Sequence, residues 1–189
     1  MLVLASASPR RHQLLRWFGV EYVIDPPDVD ECASPGEDAG TLVGRLARDK
    51  ARAVTGRRPA DWVLAADTLV ELEGDLLGKP ADDADASAML ARLSGREHRV
   101  WTGFTLLMPG GAPRAADVVV TRVRFRAFDR NAIATYVASG EPIGKAGAYA
   151  IQGLGAGLIA GIDGSFTNVI GLPLEEVGRA LREAGLLAR

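Results

Sequence analysis

The sequence predicts an α/β fold in which a mixed twisted sheet is flanked by helices and two lobes surround a central cleft. Short apolar runs alternate with helical patterns in the first third of the chain, and long strand-like runs form hairpins in the middle. The last third places glycines between apolar residues, which indicates further short strands. This order of elements is typical of an α/β domain with a mixed sheet. At 189 residues the chain is expected to form one domain with two lobes over residues 1–189.

The chain opens with a strand, a tight loop and a helix. Leu2–Ala5 is a short apolar run, Ser8 stands at the cap position of the following helix, and Pro9 stands at its first position. The loop therefore ends at a helix N-terminus, where unpaired N–H groups favour an anion. Arg10 and Arg11 oppose the helix dipole there, which predicts a phosphate site. The alternative is a serine-capped helix with two solvated arginines.

A second strand and a long helix follow. Val20–Ile24 is predicted as a strand, and Ser34 before a proline predicts the cap of a helix over about residues 36–55. Glu31 lies in the acidic loop between them, which is either simply solvated or faces a metal. Lys50 lies in the apolar stripe of the helix, so its ammonium either passes the edge of the core or reaches into an anionic cleft.

Residues Trp62–Leu72 are predicted to form a central strand. Asp67 lies in its middle, although aspartate is unfavourable in strand interiors and an unpaired buried carboxylate is costly. It therefore marks either a functional site or a hydrogen-bonded structural aspartate. A hairpin turn is predicted at Glu73–Asp75, and Lys79 follows on a rigid turn as a candidate phosphate contact. Pro80 stands where a P-loop needs Ser or Thr, so a P-loop is rejected.

The remaining elements continue the alternation. They are a helix capped by Asp82 or Asp83 and ending at Leu93, long strands over His98–Met108 and Val118–Phe125, and a helix capped by Asp129. Short strands are predicted in the glycine-rich segment at Tyr149, Ile151, Leu158, Ile159 and Ile162, and a last helix is opened by Leu172 and Pro173.

Composition excludes several classes of protein. Apolar residues make up 48% of the chain and charged residues 24%, as in an ordinary soluble globular protein. The net charge of −2 does not favour nucleic acid or membrane partners. One cysteine and two histidines argue against a disulfide framework and a zinc site. The alternate arginines 122, 124 and 126 favour either a solvent-facing sheet surface or RNA binding.

Five motifs occur in order: SASPRR at 6–11, ADT at 66–68, GKP at 78–80, KAGAYAIQG at 145–153 and NVIGLP at 168–173. With these motifs the sequence resembles the Maf family of nucleoside triphosphate pyrophosphatases over nearly its whole length. The resemblance implies a fold similar to inosine triphosphate pyrophosphatase, a cytoplasmic location and a homodimer. It also implies a divalent metal cation, Mg²⁺ or Mn²⁺, and hydrolysis of a nucleoside triphosphate to monophosphate and pyrophosphate. Ala65 departs from the family pattern, in which glycine often precedes the ADT motif.

The same resemblance implies roles for individual residues. Asp67 is the catalytic acid/base residue and, with Glu31, a metal ligand. The specificity positions are Arg10, Thr68 and Gln152, and the phosphate contacts are Ser8, Arg11, Lys50 and Lys79.

Gln152 indicates which nucleobase of the triphosphate would be recognised. Its amide offers an acceptor beside donors, which matches the adjacent N–H and carbonyl of uracil and thymine. This favours dTTP and UTP, whereas the branch that resembles 7-methyl-GTP pyrophosphatases has Glu at this position. The alternative is that Gln152 satisfies backbone groups near Gly153. Two other functions stay open: a pyrophosphatase for 7-methyl-GTP or damaged purine triphosphates, and a regulatory protein of cell division.

Overall fold

The structure, a computed structural model, describes residues 1–187. Over that range its strands are β1 (Leu2–Ala5), β2 (Tyr22–Ile24), β3 (Trp62–Leu72), β4 (Asp75–Leu77), β5 (Glu97–Leu107), β6 (Pro113–Phe125) and β7 (Ile159–Asp163). Its helices are α1 (Pro9–Arg16), α2 (Ala39–Thr55), α3 (Asp83–Leu93), α4 (Arg130–Ala138), α5 (Phe166–Ile170) and α6 (Leu174–Glu183). Short 3₁₀ turns occur at Ala146–Ala148 and Leu154–Leu158. None of the helices in this range is long and apolar enough to cross a membrane.

The sheet has seven strands in the order β2-β1-β3-β5-β6-β7, and β4 pairs with β3. Strand β1 pairs in parallel with both of its neighbours. In this register Leu2 lies opposite Tyr22 of β2 and opposite Trp62 of β3. The β3–β4 and β6–β7 pairs are antiparallel. The predicted fold class, a mixed sheet with flanking helices, is therefore confirmed.

The chain divides into two compact units. Among the described residues, the first contains 1–67, 102–119 and 171–187, and the second contains 68–101 and 120–170. A core cluster of the first unit consists of Val3, Ala5, Ala51, Val54, Val63, Ala65 and Leu107. A cluster of the second includes Val70, Leu72, Leu90, Leu93, Phe125, Tyr136 and Tyr149. One domain of two lobes around a cleft stays a prediction.

Strand β3 has the predicted bounds and is buried at the residues that precede Asp67. Residues 63–66 have no exposed surface, as expected for a strand covered on both faces. Asp67 follows them directly and is itself 6% exposed. The strand therefore delivers a carboxylate into the protein interior.

The start of α2 differs from the prediction. The N-cap is Asp38, whose carboxylate accepts a hydrogen bond from the backbone N–H of Thr41 at 2.9 Å. The Ser34 cap is wrong because Gly36 adopts φ +76°, which is incompatible with a right-handed helix. The backbone N–H of Ser34 instead donates to the Glu37 carboxylate and closes a turn before the helix.

The glycine-rich segment is less regular than predicted. Tyr149 and Ile151 are buried but lie outside any strand, so the short strands predicted there are wrong. Positive φ angles of +67° at Gly147 and +59° at Ala148 interrupt the extended backbone. Between Gly144 and Gly171 the only strand is β7, which confirms the strand predicted at Ile159 and Ile162, and α5 occurs where no helix is predicted.

Candidate active site

The loop between β1 and α1 forms a compact hydroxyl-rich turn. Ser8 is the N-cap, and its Oγ accepts a hydrogen bond from the backbone N–H of Arg11 at 3.4 Å. Oγ of the buried Ser6 accepts from the backbone N–H of Ser8 at 3.2 Å and from Nη1 of Arg11 at 3.4 Å. The predicted serine cap is confirmed, and Arg11 bends back over the turn instead of extending into solvent.

A backbone carbonyl from a distant part of the chain orients Arg11. Its Nε donates to the carbonyl oxygen of Gly171 at 2.8 Å. Gly171 adopts φ +120°, a conformation that a residue with a Cβ rarely takes. The local sequence does not predict this contact, although Gly171 belongs to the motif at 168–173.

Both arginines at the start of α1 are partly withdrawn from water. Burial lowers the pKa of Arg10. Burial also lowers the pKa of Arg11, Asp67 raises it, Arg10 lowers it further, and Glu31 raises it. Two desolvated guanidiniums beside a helix N-terminus are an environment that an anion stabilises. The turn therefore has the charge and the donors of a phosphate site.

The ammonium of Lys50 joins the two candidate carboxylates. Lys50 lies in the buried stripe of α2 and is 6% exposed. Its Nζ lies 2.5 Å from Oδ1 of Asp67 and 2.5 Å from Oε1 of Glu31. The ammonium compensates the buried charge of Asp67, whose burial without a partner would be costly. The ammonium of Lys50 therefore faces acidic groups, and it does not simply pass the edge of the core into solvent.

The acidic pair also fits a divalent cation. Both carboxylates approach one cationic atom, so they converge on a position that favours positive charge. Magnesium is usually held by one or two carboxylates, with waters and substrate phosphates completing its shell. Among residues 1–187, no group of three or more His, Cys, Asp and Glu side chains is arranged to hold a metal. The role of Glu31 and Asp67 as metal ligands therefore stays a prediction.

The other predicted site residues lie in the second unit. Thr68 is half-buried on β3, Lys79 is exposed on the turn after β4, and Gln152 is exposed before Gly153. The turn at Lys79 is anchored because the carbonyl of Gly78 accepts a hydrogen bond from the N–H of Gly147 at 3.0 Å. The roles of these three side chains stay predictions.

Comparisons with known proteins agree over almost the whole chain. A family model described as a Maf-like protein matches residues 1–184. A dTTP/UTP pyrophosphatase of Myxococcus xanthus is 53% identical over 186 residues, covering 98% of this chain and 93% of the relative. A second dTTP/UTP pyrophosphatase, from an Anaeromyxobacter species, is 51% identical over 187 residues, covering 97% of this chain and 89% of the relative. A solved dITP/XTP pyrophosphatase of Mycobacterium abscessus aligns over 100% of this chain and 99% of its own, with 17% identity and a TM-score of 0.46.

Proposed function

Because the chain belongs to the Maf-like family, we propose that it is a nucleoside triphosphate pyrophosphatase that hydrolyses dTTP and UTP to the monophosphate and pyrophosphate. The observation that carries this proposal is the cluster in which the buried Lys50 contacts both the buried Asp67 and the exposed Glu31. This cluster supplies a carboxylate that can act on water, and the arginines at the start of α1 supply cations that can neutralise phosphate. The names of its relatives supply the nucleotide class.

Phosphate binding is assigned to the turn before α1. Arg11 supplies a planar guanidinium whose Nε is held by the Gly171 carbonyl, so its remaining donors are oriented. Arg10 adds a second desolvated charge, and Ser8 adds a hydroxyl at the helix N-terminus. These groups would hold the triphosphate in a fixed geometry and neutralise charge that develops as the anhydride breaks. Lys79 is assigned a further phosphate contact by the family resemblance.

Asp67 is assigned the proton transfer. In hydrolysis, water adds to one phosphorus of the α–β anhydride, the anhydride bond breaks, and the monophosphate and pyrophosphate separate. The Asp67 carboxylate would orient that water and accept its proton, while Lys50 donates to Oδ1 and fixes the carboxylate. No histidine or cysteine takes part in these steps.

Glu31 and Asp67 would hold the divalent cation that the family implies, Mg²⁺ or Mn²⁺. When bound, that cation would neutralise charge on phosphate oxygens. Because the side chain of Glu31 is 49% exposed, the carboxylate pair is accessible from solvent on its side.

Recognition of the base is assigned to Gln152, with Thr68 and Arg10 as the other specificity positions of the family. The exposed amide of Gln152 can pair with the N–H and carbonyl of uracil or thymine. A carboxylate at this position would instead suit the two adjacent donors of guanine. The homodimer, the cytoplasmic location and the lack of nucleic-acid binding stay predictions.

A panel of triphosphates tests the proposal. Release of pyrophosphate would be measured with added Mg²⁺ or Mn²⁺ for dTTP, UTP, CTP, GTP, 7-methyl-GTP and dITP. The proposal expects the highest kcat/KM for dTTP and UTP. A preference for 7-methyl-GTP or dITP would identify a purine-directed enzyme, and no release from any triphosphate would reject the activity.

A further inference from the structure

We propose that Glu141 and Tyr136 are positioning residues for base selectivity, because together they fix the loop that carries Gln152. The inference rests on the proposed function, in which Gln152 recognises the base. Neither residue is expected to touch the substrate. Their effect would pass through the backbone of residues 150–155.

Glu141 binds this loop on the side that follows Gln152. Its Oε1 accepts hydrogen bonds from the hydroxyl of Tyr136 at 2.8 Å and from the N–H of Gly155 at 2.9 Å. Its Oε2 accepts from the N–H of Leu154 at 2.9 Å. Burial raises the pKa of Glu141, but the hydrogen bonds from Gly155, Tyr136 and Leu154 leave it below its ordinary value. Glu141 is therefore an ionised acceptor with three donors.

Tyr136 holds the same loop on the side that precedes Gln152. Its ring is buried in α4, and its hydroxyl accepts a hydrogen bond from the N–H of Ala150 at 3.1 Å. The hydroxyl thus connects Ala150 to the Glu141 carboxylate. Gln152 lies between two fixed points, Ala150 and Leu154, that are four residues apart.

Two glycines make this close approach possible. A Cβ on Gly153 would collide with Oε2 of Glu141, and a Cβ on Gly155 would lie 2.5 Å from the Tyr136 hydroxyl. The loop therefore lies directly against its two anchors. Its backbone is held on both sides while the side chain of Gln152 stays exposed.

This arrangement suits selectivity because recognition by an amide depends on orientation. Uracil presents an N–H beside a carbonyl, whereas cytosine presents the opposite pattern at those atoms. An amide discriminates between them only while its own donor and acceptor keep fixed positions, within about 0.5 Å. A loosened loop would let the amide turn, so UTP would lose its advantage over CTP.

The test compares the ratio of kcat/KM for UTP to that for CTP in Glu141→Gln and Tyr136→Phe. Glutamine keeps one acceptor atom but turns an NH₂ group toward a backbone N–H, and phenylalanine removes the contact to Ala150. We expect the ratio to fall by roughly tenfold, the value of about one hydrogen bond. The fall should come mainly from a higher KM for UTP.

Tyr149→Phe is the matched control. It removes another buried tyrosine hydroxyl of the same core, one whose hydrogen bond goes to Nε2 of His98 at 2.8 Å and not to a backbone group of residues 150–155. Its ratio should equal that of the wild type. Gln152→Ala sets the ratio expected when the amide is absent.

Several results would overturn the inference. An unchanged ratio in both anchor variants would do so, as would an equal fall in Tyr149→Phe, which would indicate general loosening. An unchanged ratio in Gln152→Ala would place base recognition elsewhere. If Glu141→Gln does not fold, Tyr136→Phe decides, since it keeps the ring. Failure of the wild type to hydrolyse UTP or dTTP would instead reject the proposed function.

Discussion

Replacing Lys50 by methionine removes the ammonium that Asp67 and Glu31 share, while it keeps a long unbranched side chain in the buried stripe of α2. The variant leaves the Asp67 carboxylate 6% exposed and without that ion pair. The nearby Arg11 guanidinium compensates only part of that buried charge, so the variant should be clearly less stable than the wild type.

The size of this loss follows from the exposure of each partner. Removing one partner of a buried ion pair costs about 3–5 kcal/mol. The contact to Glu31, whose side chain is 49% exposed, adds at most about 1 kcal/mol. Because methionine packs well, we expect about 3 kcal/mol in total, which for a chain of this size lowers Tm by roughly 6–12 °C.

Chemical denaturation of Lys50→Met, Asp67→Asn and the double variant measures this coupling. Neutralising Asp67 in the Lys50→Met background should restore more than half of the lost free energy of unfolding. Arg48→Met, on the exposed face of the same helix, is the control and should change stability by less than about 0.5 kcal/mol. A Lys50→Met variant within about 1 kcal/mol of the wild type would refute the reasoning.

Three further predictions test other parts of the molecule. Gln152→Glu should lower kcat/KM for UTP relative to GTP by roughly tenfold; an unchanged profile would contradict base recognition there. Burial lowers the pKa of His98 from 6.5 to about 4, so between those pH values only the unfolded state gains this proton. The contribution of His98 to the free energy of unfolding therefore falls by about 3 kcal/mol as pH drops from 6.5 to 4. Denaturation at pH 7 and pH 4 should show a smaller drop in the free energy of unfolding for His98→Gln than for the wild type. An equal drop in the two proteins would contradict the prediction. Gly103→Ala would place a Cβ 2.5 Å from the Val43 carbonyl oxygen and should lower Tm by roughly 4–8 °C, whereas Gly56→Ala, with ordinary contacts, should not.

The sequence predicts the Lys50–Asp67 centre of the candidate site because both residues break local rules. Asp67 interrupts an apolar strand, and Lys50 interrupts an apolar helical stripe. Each is costly alone, and the structure places their charged atoms 2.5 Å apart. Local patterns therefore indicate that each residue needs a partner, although they do not identify it.

Local patterns do not predict contacts between residues that lie far apart in the sequence. The Gly171 carbonyl that holds Arg11 lies 160 residues from it, and a carbonyl has no sequence signal of its own. The start of α2 shows a different limit, because Ser34 and Asp38 are both good caps and the φ of Gly36 decides between them.

The central claim is that the Asp67 carboxylate, held by Lys50, acts on the water that hydrolyses a pyrimidine triphosphate. Steady-state release of pyrophosphate from dTTP by Asp67→Asn, against the wild type at matched metal concentration, tests it most directly. The account predicts that kcat falls by roughly 10² to 10⁴ while the variant remains folded. Turnover close to that of the wild type would contradict it.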